Sequence, residues 1–141
     1  MQDWIYYDSK TGNVARFAHK LEAVTGWHIR RISEELSIAN PGHLITFTTG
    51  KGEIPSSTDK FMQHNHELIK TVSASGNRNW GQNFGKAADT IADIYQLPLL
   101  FKFELSGSMN DVRQFINKIN EYHEYLSNEK SFHCEEVDIT Q

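Results

Sequence analysis

Short runs of consecutive apolar residues alternate along this chain with stretches in which apolar residues return every three or four positions. The runs predict five strands: Trp4 to Tyr7, Trp27 to Ile32, Leu44 to Thr48, Thr71 to Ser75 and Leu99 to Leu105. Between them, four helical faces stand out. Val14, Phe17, Ala18 and Leu21 form the first, with Gly26 as its stop. Phe61, Met62, Asn65, Leu68 and Ile69 form the second, which Ser56 and Asp59 would open as a capping box. Phe84, Ala87, Ala88, Ile91 and Tyr95 form the third. Val112, Phe115, Ile116 and Ile119 form the last, behind a second possible box at Ser108 and Asp111. The periodicity fades from about Ser127.

Strands that alternate with helices pair in parallel, with helices on both faces of the sheet. The expected architecture is a doubly wound α/β domain over residues 1–126, with a five-stranded parallel sheet in the order 2-1-3-4-5. A polar tail, 127–141, follows it. One connection is thin. Ser33 to Gly42 is short for a parallel crossover and carries Asn40-Pro41-Gly42, so a loop or single turn is expected there.

Composition narrows the function. A length of 141 residues suffices for one core without disulfide or metal staples. The net charge of −4 leaves no basic surplus for phosphate backbones, which argues against nucleic acid as partner. No apolar run reaches the ~20 residues of a membrane span, and Met1 to Ser9 lacks the features of a signal peptide. With one cysteine, Cys134, no internal disulfide is possible. A cytoplasmic protein is expected. Seven histidines show no metal-ligand spacing; His64 and His66 are two apart and fall on different helix faces. No metal is expected.

The loops carry the chemistry. In an open α/β sheet ligands bind beyond the carboxyl ends of the strands, where strand order reverses. For the order 2-1-3-4-5 that point lies between strands one and three. Ser9, Lys10, Thr11, Gly12 and Asn13 follow strand one. Their hydroxyls, amides and glycine suit a phosphate monoester at a helix N-terminus, although the same residues could form only a turn and cap. Thr48, Thr49, Gly50, Lys51 and Gly52 follow strand three and could border a flat redox ring, or form a surface turn. A third loop, with Asn79, Trp80 and Gly81, follows strand four. Its indole could stack on such a ring or anchor the core. Phe47 and Phe84 read as core. Taken together the loops point to flavin mononucleotide, FMN. A phosphoacceptor domain would need an acidic pair after strand one, where Asp8 stands alone.

Four ordered segments resemble the NrdI family, the small flavodoxin-like proteins of class Ib ribonucleotide reductase systems. They are Tyr7 to Asn13; Leu44 to Gly50 with Gly52 to Pro55; Ser73 to Gly81 with Phe84-Gly85; and Lys102 to Gly107. The resemblance spans roughly residues 4 to 125. It implies a flavodoxin-like fold and bound FMN. It also implies a role: reducing dioxygen to supply the oxidant that assembles the tyrosyl radical of a dimanganese small subunit, with a flavin or flavodoxin reductase as electron donor. By position, Ser9, Thr11, Gly12 and Asn13 map to phosphate binding. Thr49 to Gly52 and Asn79 to Gly81 map to the two sides of the ring. Position 51 is Lys where several relatives carry an aromatic residue. A general flavodoxin-type electron carrier is the alternative.

Overall fold

The computed structural model describes residues 3–139, and side chains over 3–128. Five strands form one parallel sheet: β1 (Trp4–Tyr7), β2 (Ile29–Arg31), β3 (Gly42–Phe47), β4 (Ile69–Gly76) and β5 (Leu99–Glu104), in the order β2-β1-β3-β4-β5. The expected strand order and parallel pairing are both present. Four helices cover the faces: α1 (Asn13–Thr25), α2 (Ser56–Asn65), α3 (Lys86–Tyr95) and α4 (Met109–Ile139).

Two cores follow from the alternation of side chains across the sheet. Ile5, Tyr7, Ile45 and Phe103 face one way and meet Val14, Phe17 and Leu21 of α1 and Val112, Phe115 and Ile119 of α4. Phe17 stacks on Phe103 with ring centroids 4.0 Å apart. Tyr6, Leu44, Val72 and Ala74 face the other way, onto Phe61 and Met62 of α2 and Ala88 and Ile91 of α3. The ten residues between β2 and β3 form no helix; Ile32, Leu36 and Ile38 cover this second face instead. Each fully buried large apolar side chain contributes about 1.5–3 kcal/mol.

The differences from the sequence reading are local. β2 is shorter than expected, and β3 starts at Gly42 and stops before Thr48. Leu68 and Ile69 leave the helical face because a 3₁₀ turn, His66–Leu68, ends it and Ile69 pairs with Gly42 as the start of β4. Phe84 precedes α3. Ser56 does not cap α2: Pro55 holds that position with no side-chain bond, and Asp59 accepts from Gln63 Nε2 at 3.2 Å. The second box does form, with Ser108 N–H donating to Asp111 Oδ2 at 2.8 Å and Asp111 N–H to Ser108 Oγ at 3.1 Å. Gly26 stops α1, its N–H donating to the Glu22 carbonyl at 2.8 Å. α4 runs through the segment read as a polar tail, as far as Ile139. Cys134 lies outside the residues whose side chains are described. Among the described residues no helix is long and apolar enough to cross a membrane.

His43, on β3, is fully buried. Burial pushes its pKa down to about 4, against the pull of the Asp3 carboxylate. At pH 7 the imidazole is therefore neutral, and its contact with Asp3, 3.2 Å from Nε2 to Oδ2, is a hydrogen bond from Nε2–H to the carboxylate and not an ion pair. The unfolded chain takes up this proton near pH 6.5 and the folded chain does not. Stability is thus fully present above pH 6.5 and falls as pH drops toward 4, by about 3 kcal/mol. Urea unfolding in EDTA buffer at pH 7.0 and 4.5 should show that fall, and a His43→Gln variant should lose most of the slope. Equal slopes in both proteins would rule it out.

Candidate functional site

The carboxyl ends of β1, β3 and β4 lie side by side because β1 and β3 are neighbours at the point where strand order reverses. Two clefts open there, of about 240 and 650 Å³. They share Ser9, Lys10 and Phe47. Together they fall within the roughly 300–1,000 Å³ of small-molecule sites.

The loop after β1 is built to receive an anion. α1 begins at Asn13, and Gly12 precedes it with φ +96°, a backbone state that L side chains rarely adopt. The amides of Thr11, Gly12, Asn13 and Val14 have no hydrogen-bond partner among the described residues. Ser9 is buried and its Oγ accepts the Ala15 N–H at 3.2 Å, so its own hydrogen remains to donate. Asn13 Oδ1 accepts from Arg16 Nη2 at 2.6 Å and from Ser106 Oγ at 2.9 Å. That leaves its amide nitrogen as a donor. Asn13 therefore stands at the first helical position and does not cap α1. Two guanidiniums flank the loop. Arg16 Nη1 would lie 2.8 Å from a Cβ at Gly12, and Arg31 Nη2 donates to the Ser9 carbonyl. Free amides, hydroxyls and a helix N-terminus with cations close by suit a phosphate monoester.

The remaining walls of the smaller cleft are mostly apolar. Phe47, Val14, Leu105 and Trp80 line it, with Thr48, Ser75, Gly76 and Asn77. Trp80 lies in a 3₁₀ stretch, Arg78–Asn83, and is 40% exposed, so it is not a core anchor. Asn77 opens that stretch by accepting the Asn79 N–H at 2.9 Å. Gly76 has to be glycine, because a Cβ there would sit 2.7 Å from the Gly85 backbone nitrogen. Leu105 holds φ +54°, unusual outside glycine, and is pinned by its N–H to the Gly76 carbonyl (3.0 Å) and its carbonyl to Ser75 Oγ (2.6 Å). Apolar walls with two aromatic side chains, Phe47 and Trp80, suit a flat aromatic ring.

The loop after β3 is a closed turn. Gly52 N–H and Glu53 N–H both donate to the Thr49 carbonyl, at 2.9 and 3.0 Å, and Thr49 N–H donates to the Glu53 carbonyl at 3.1 Å. Gly52 packs against the Lys86 side chain. Behind it, Asp8 follows β1 and accepts from Ser57 Oγ (2.5 Å) and Thr58 Oγ1 (2.6 Å), which ties α2 to the larger cleft.

Of the expected residues, Ser9, Lys10, Thr11, Asn13, Thr48 and Trp80 line the smaller cleft and Thr49 the larger. Gly12 lines neither cleft and supplies the positive-φ turn of the first loop into α1. Gly50, Lys51, Gly52, Asn79 and Gly81 line neither cleft; they belong to the adjoining turns. Phe47, Ser75, Gly76, Asn77 and Leu105, and the side chain of Val14, lie outside the expected contacts. Phe47 reads as core from its apolar neighbours, but it is half-buried and borders both clefts. Among the residues lining the smaller cleft only Lys10 is ionisable, so no acid–base pair stands over it.

Comparison with known proteins agrees with this geometry. A family model described as NrdI flavodoxin-like matches residues 5–117. Protein NrdI of Bacillus licheniformis is 47% identical over 115 residues, covering 82% of this chain and 86% of that protein. The crystal structure of oxidised flavodoxin 2 from Bacillus cereus superposes with TM-score 0.64 at 21% identity, covering 89% of this chain and 99% of that one. A short-chain flavodoxin associated with a non-canonical PDU bacterial microcompartment gives TM-score 0.60 at 16% identity, covering 80% and 90%. These two likenesses establish the flavodoxin-like fold.

Proposed function

The chain belongs to the NrdI flavodoxin-like family, and from that premise we propose that it is a cytoplasmic FMN protein that reduces dioxygen and delivers the product to the dimanganese small subunit of a class Ib ribonucleotide reductase. It is a flavoprotein by family; FMN, dioxygen and the partner are the content of the proposal. The observation that carries it is the pairing, at one switch point, of a phosphate-sized set of unpartnered donors with an apolar slot bordered by Trp80.

Bound flavin would supply a two-electron store that can be drawn on one electron at a time. The residues of the chain do the rest. Ser9, Thr11, Asn13 and the amides up to Val14 would hold the phosphate. Arg16 and Arg31 offset its charge. Phe47, Leu105 and Trp80, which line the smaller cleft, would shield the ring from water. The Thr49–Glu53 turn and the Asn79–Gly81 segment adjoin the clefts and would stand beside the path by which a small oxidant reaches the ring. A flavin or flavodoxin reductase is the expected electron donor.

Protein purified from cells should be yellow. Acid release followed by chromatography should yield FMN at close to one equivalent, and neither riboflavin nor FAD. Colourless protein that fails to take up added FMN would overturn the cofactor assignment and leave an interaction module on a flavodoxin-like frame.

A further inference from the structure

The end of the sheet opposite the clefts carries a second cluster. Asp3 precedes β1, His43 is the second residue of β3, and His123 lies on α4. His43 Nε2 is 3.2 Å from Asp3 Oδ2, and His123 Nε2 is 3.0 Å from the same oxygen. The three atoms lie within 4.8 Å of one another. Asp3 and His43 are buried, whereas the His123 side chain is 34% exposed and opens the cluster to solvent. The flavin reading uses none of them.

We propose that Asp3, His43 and His123 form a binding site for a divalent transition-metal ion of the zinc class. Two imidazoles and a carboxylate are the donor set such ions prefer when one position stays open to water. Ligand atoms 2.0–2.2 Å from a common ion in a tetrahedron stand about 3.3–3.6 Å apart. The two nitrogen–oxygen separations already lie close to that, and only the two nitrogens need to draw together. His43 is also held as a ligand should be: its Nδ1 lies 2.8 Å from Thr71 Oγ1. On binding, the imidazole proton that Nε2 gives to Asp3 in the ion-free cluster moves to Nδ1, whose N–H then donates to that hydroxyl and leaves the Nε2 lone pair for the ion. The Tyr122 ring packs edge-on against His43 at 5.6 Å and fixes its plane.

Lys70 is the competitor. Its Nζ lies 3.0 Å from both Asp3 oxygens and supplies the compensating charge when no ion is bound. Its side chain is 34% exposed, so it can swing into solvent when an ion takes its place. Binding is therefore a displacement of one cation by another, and removing Lys70 should strengthen it. A purely structural cluster behaves in the opposite way, since Asp3 would lose a partner and the ion would gain nothing.

The test is calorimetric titration of the EDTA-treated, buffer-exchanged full-length flavoprotein with zinc chloride at pH 7.5. One equivalent should bind. His123→Ala should weaken it at least tenfold, Lys70→Gln should strengthen it several-fold, and the controls His64→Ala and Cys134→Ser should leave it unchanged. Flavin absorbance should stay constant throughout, since the site lies at the far end of the sheet. No saturable binding below millimolar zinc overturns the proposal. So does binding that survives His123→Ala, binding that disappears in either control, or binding that Lys70→Gln fails to strengthen. Should His123→Ala not fold, the Lys70→Gln arm decides alone.

Discussion

Replacing Ser9 and Thr11 together by alanine is expected to weaken FMN binding at least tenfold and leave riboflavin binding unchanged. Hydrogen bonds to a charged group contribute about 1.5–3 kcal/mol each, and tenfold corresponds to about 1.4 kcal/mol. The lower bound is set conservatively because Thr11 is exposed, and water replaces part of what it gives. Ser9 has a second duty: its Oγ accepts the Ala15 N–H. Losing that hydrogen bond should cost about 0.5–1.5 kcal/mol of folding stability, which is read by urea unfolding and does not by itself weaken either flavin. Riboflavin separates the two effects, since it lacks only the phosphate. Fluorescence titration of both flavins against both proteins decides the matter. Equal weakening for the two flavins would mean that the loop shapes the cleft without holding the phosphate. Undiminished FMN affinity would place the phosphate elsewhere.

This loop could be read from the sequence because its chemistry is local. Donor residues and a glycine directly after an apolar run specify a turn into a helix whatever the rest of the chain does. The strand order was legible for a related reason: alternating strand and helix periods leave few parallel arrangements. What was not legible depends on contacts far apart in sequence. Leu105 lines the cleft because Gly76 and Ser75, some thirty residues earlier, pin it in a left-handed conformation. The capping role given to Ser56 was lost to Pro55, whose fixed φ suits the position before a helix and needs no side-chain bond. Histidine spacing likewise gave no hint of the Asp3, His43 and His123 cluster. Its members stand 40 and 80 residues apart and meet only because β1 and β3 are paired and α4 packs back across the sheet.

The largest expected effect is on radical assembly. Reduced protein, dioxygen and manganese-loaded class Ib small subunit should together yield tyrosyl radical, measured by electron paramagnetic resonance, and omitting any one should abolish it. The site favours this over substrate chemistry. Lys10 is the sole ionisable residue lining the smaller cleft, and the carboxylates Asp8, Glu34 and Glu53 line only the larger one, so no acid–base pair faces the apolar slot where the ring would lie. On the proposed role, the oxidant would have to reach the metals before it escapes, which calls for direct docking, and the exposed Lys51 and Trp80 beside the clefts mark the surface expected to provide it. Exogenous peroxide should therefore fail to replace the reduced protein. A charge reversal at that surface, Lys51→Glu, should reduce radical yield while FMN content stays constant, since Lys51 lines neither cleft. A generic flavodoxin, reduced to the same extent, should give little radical. If it gives the same yield under matched conditions, specific docking is wrong and the chain is better understood as a general electron carrier.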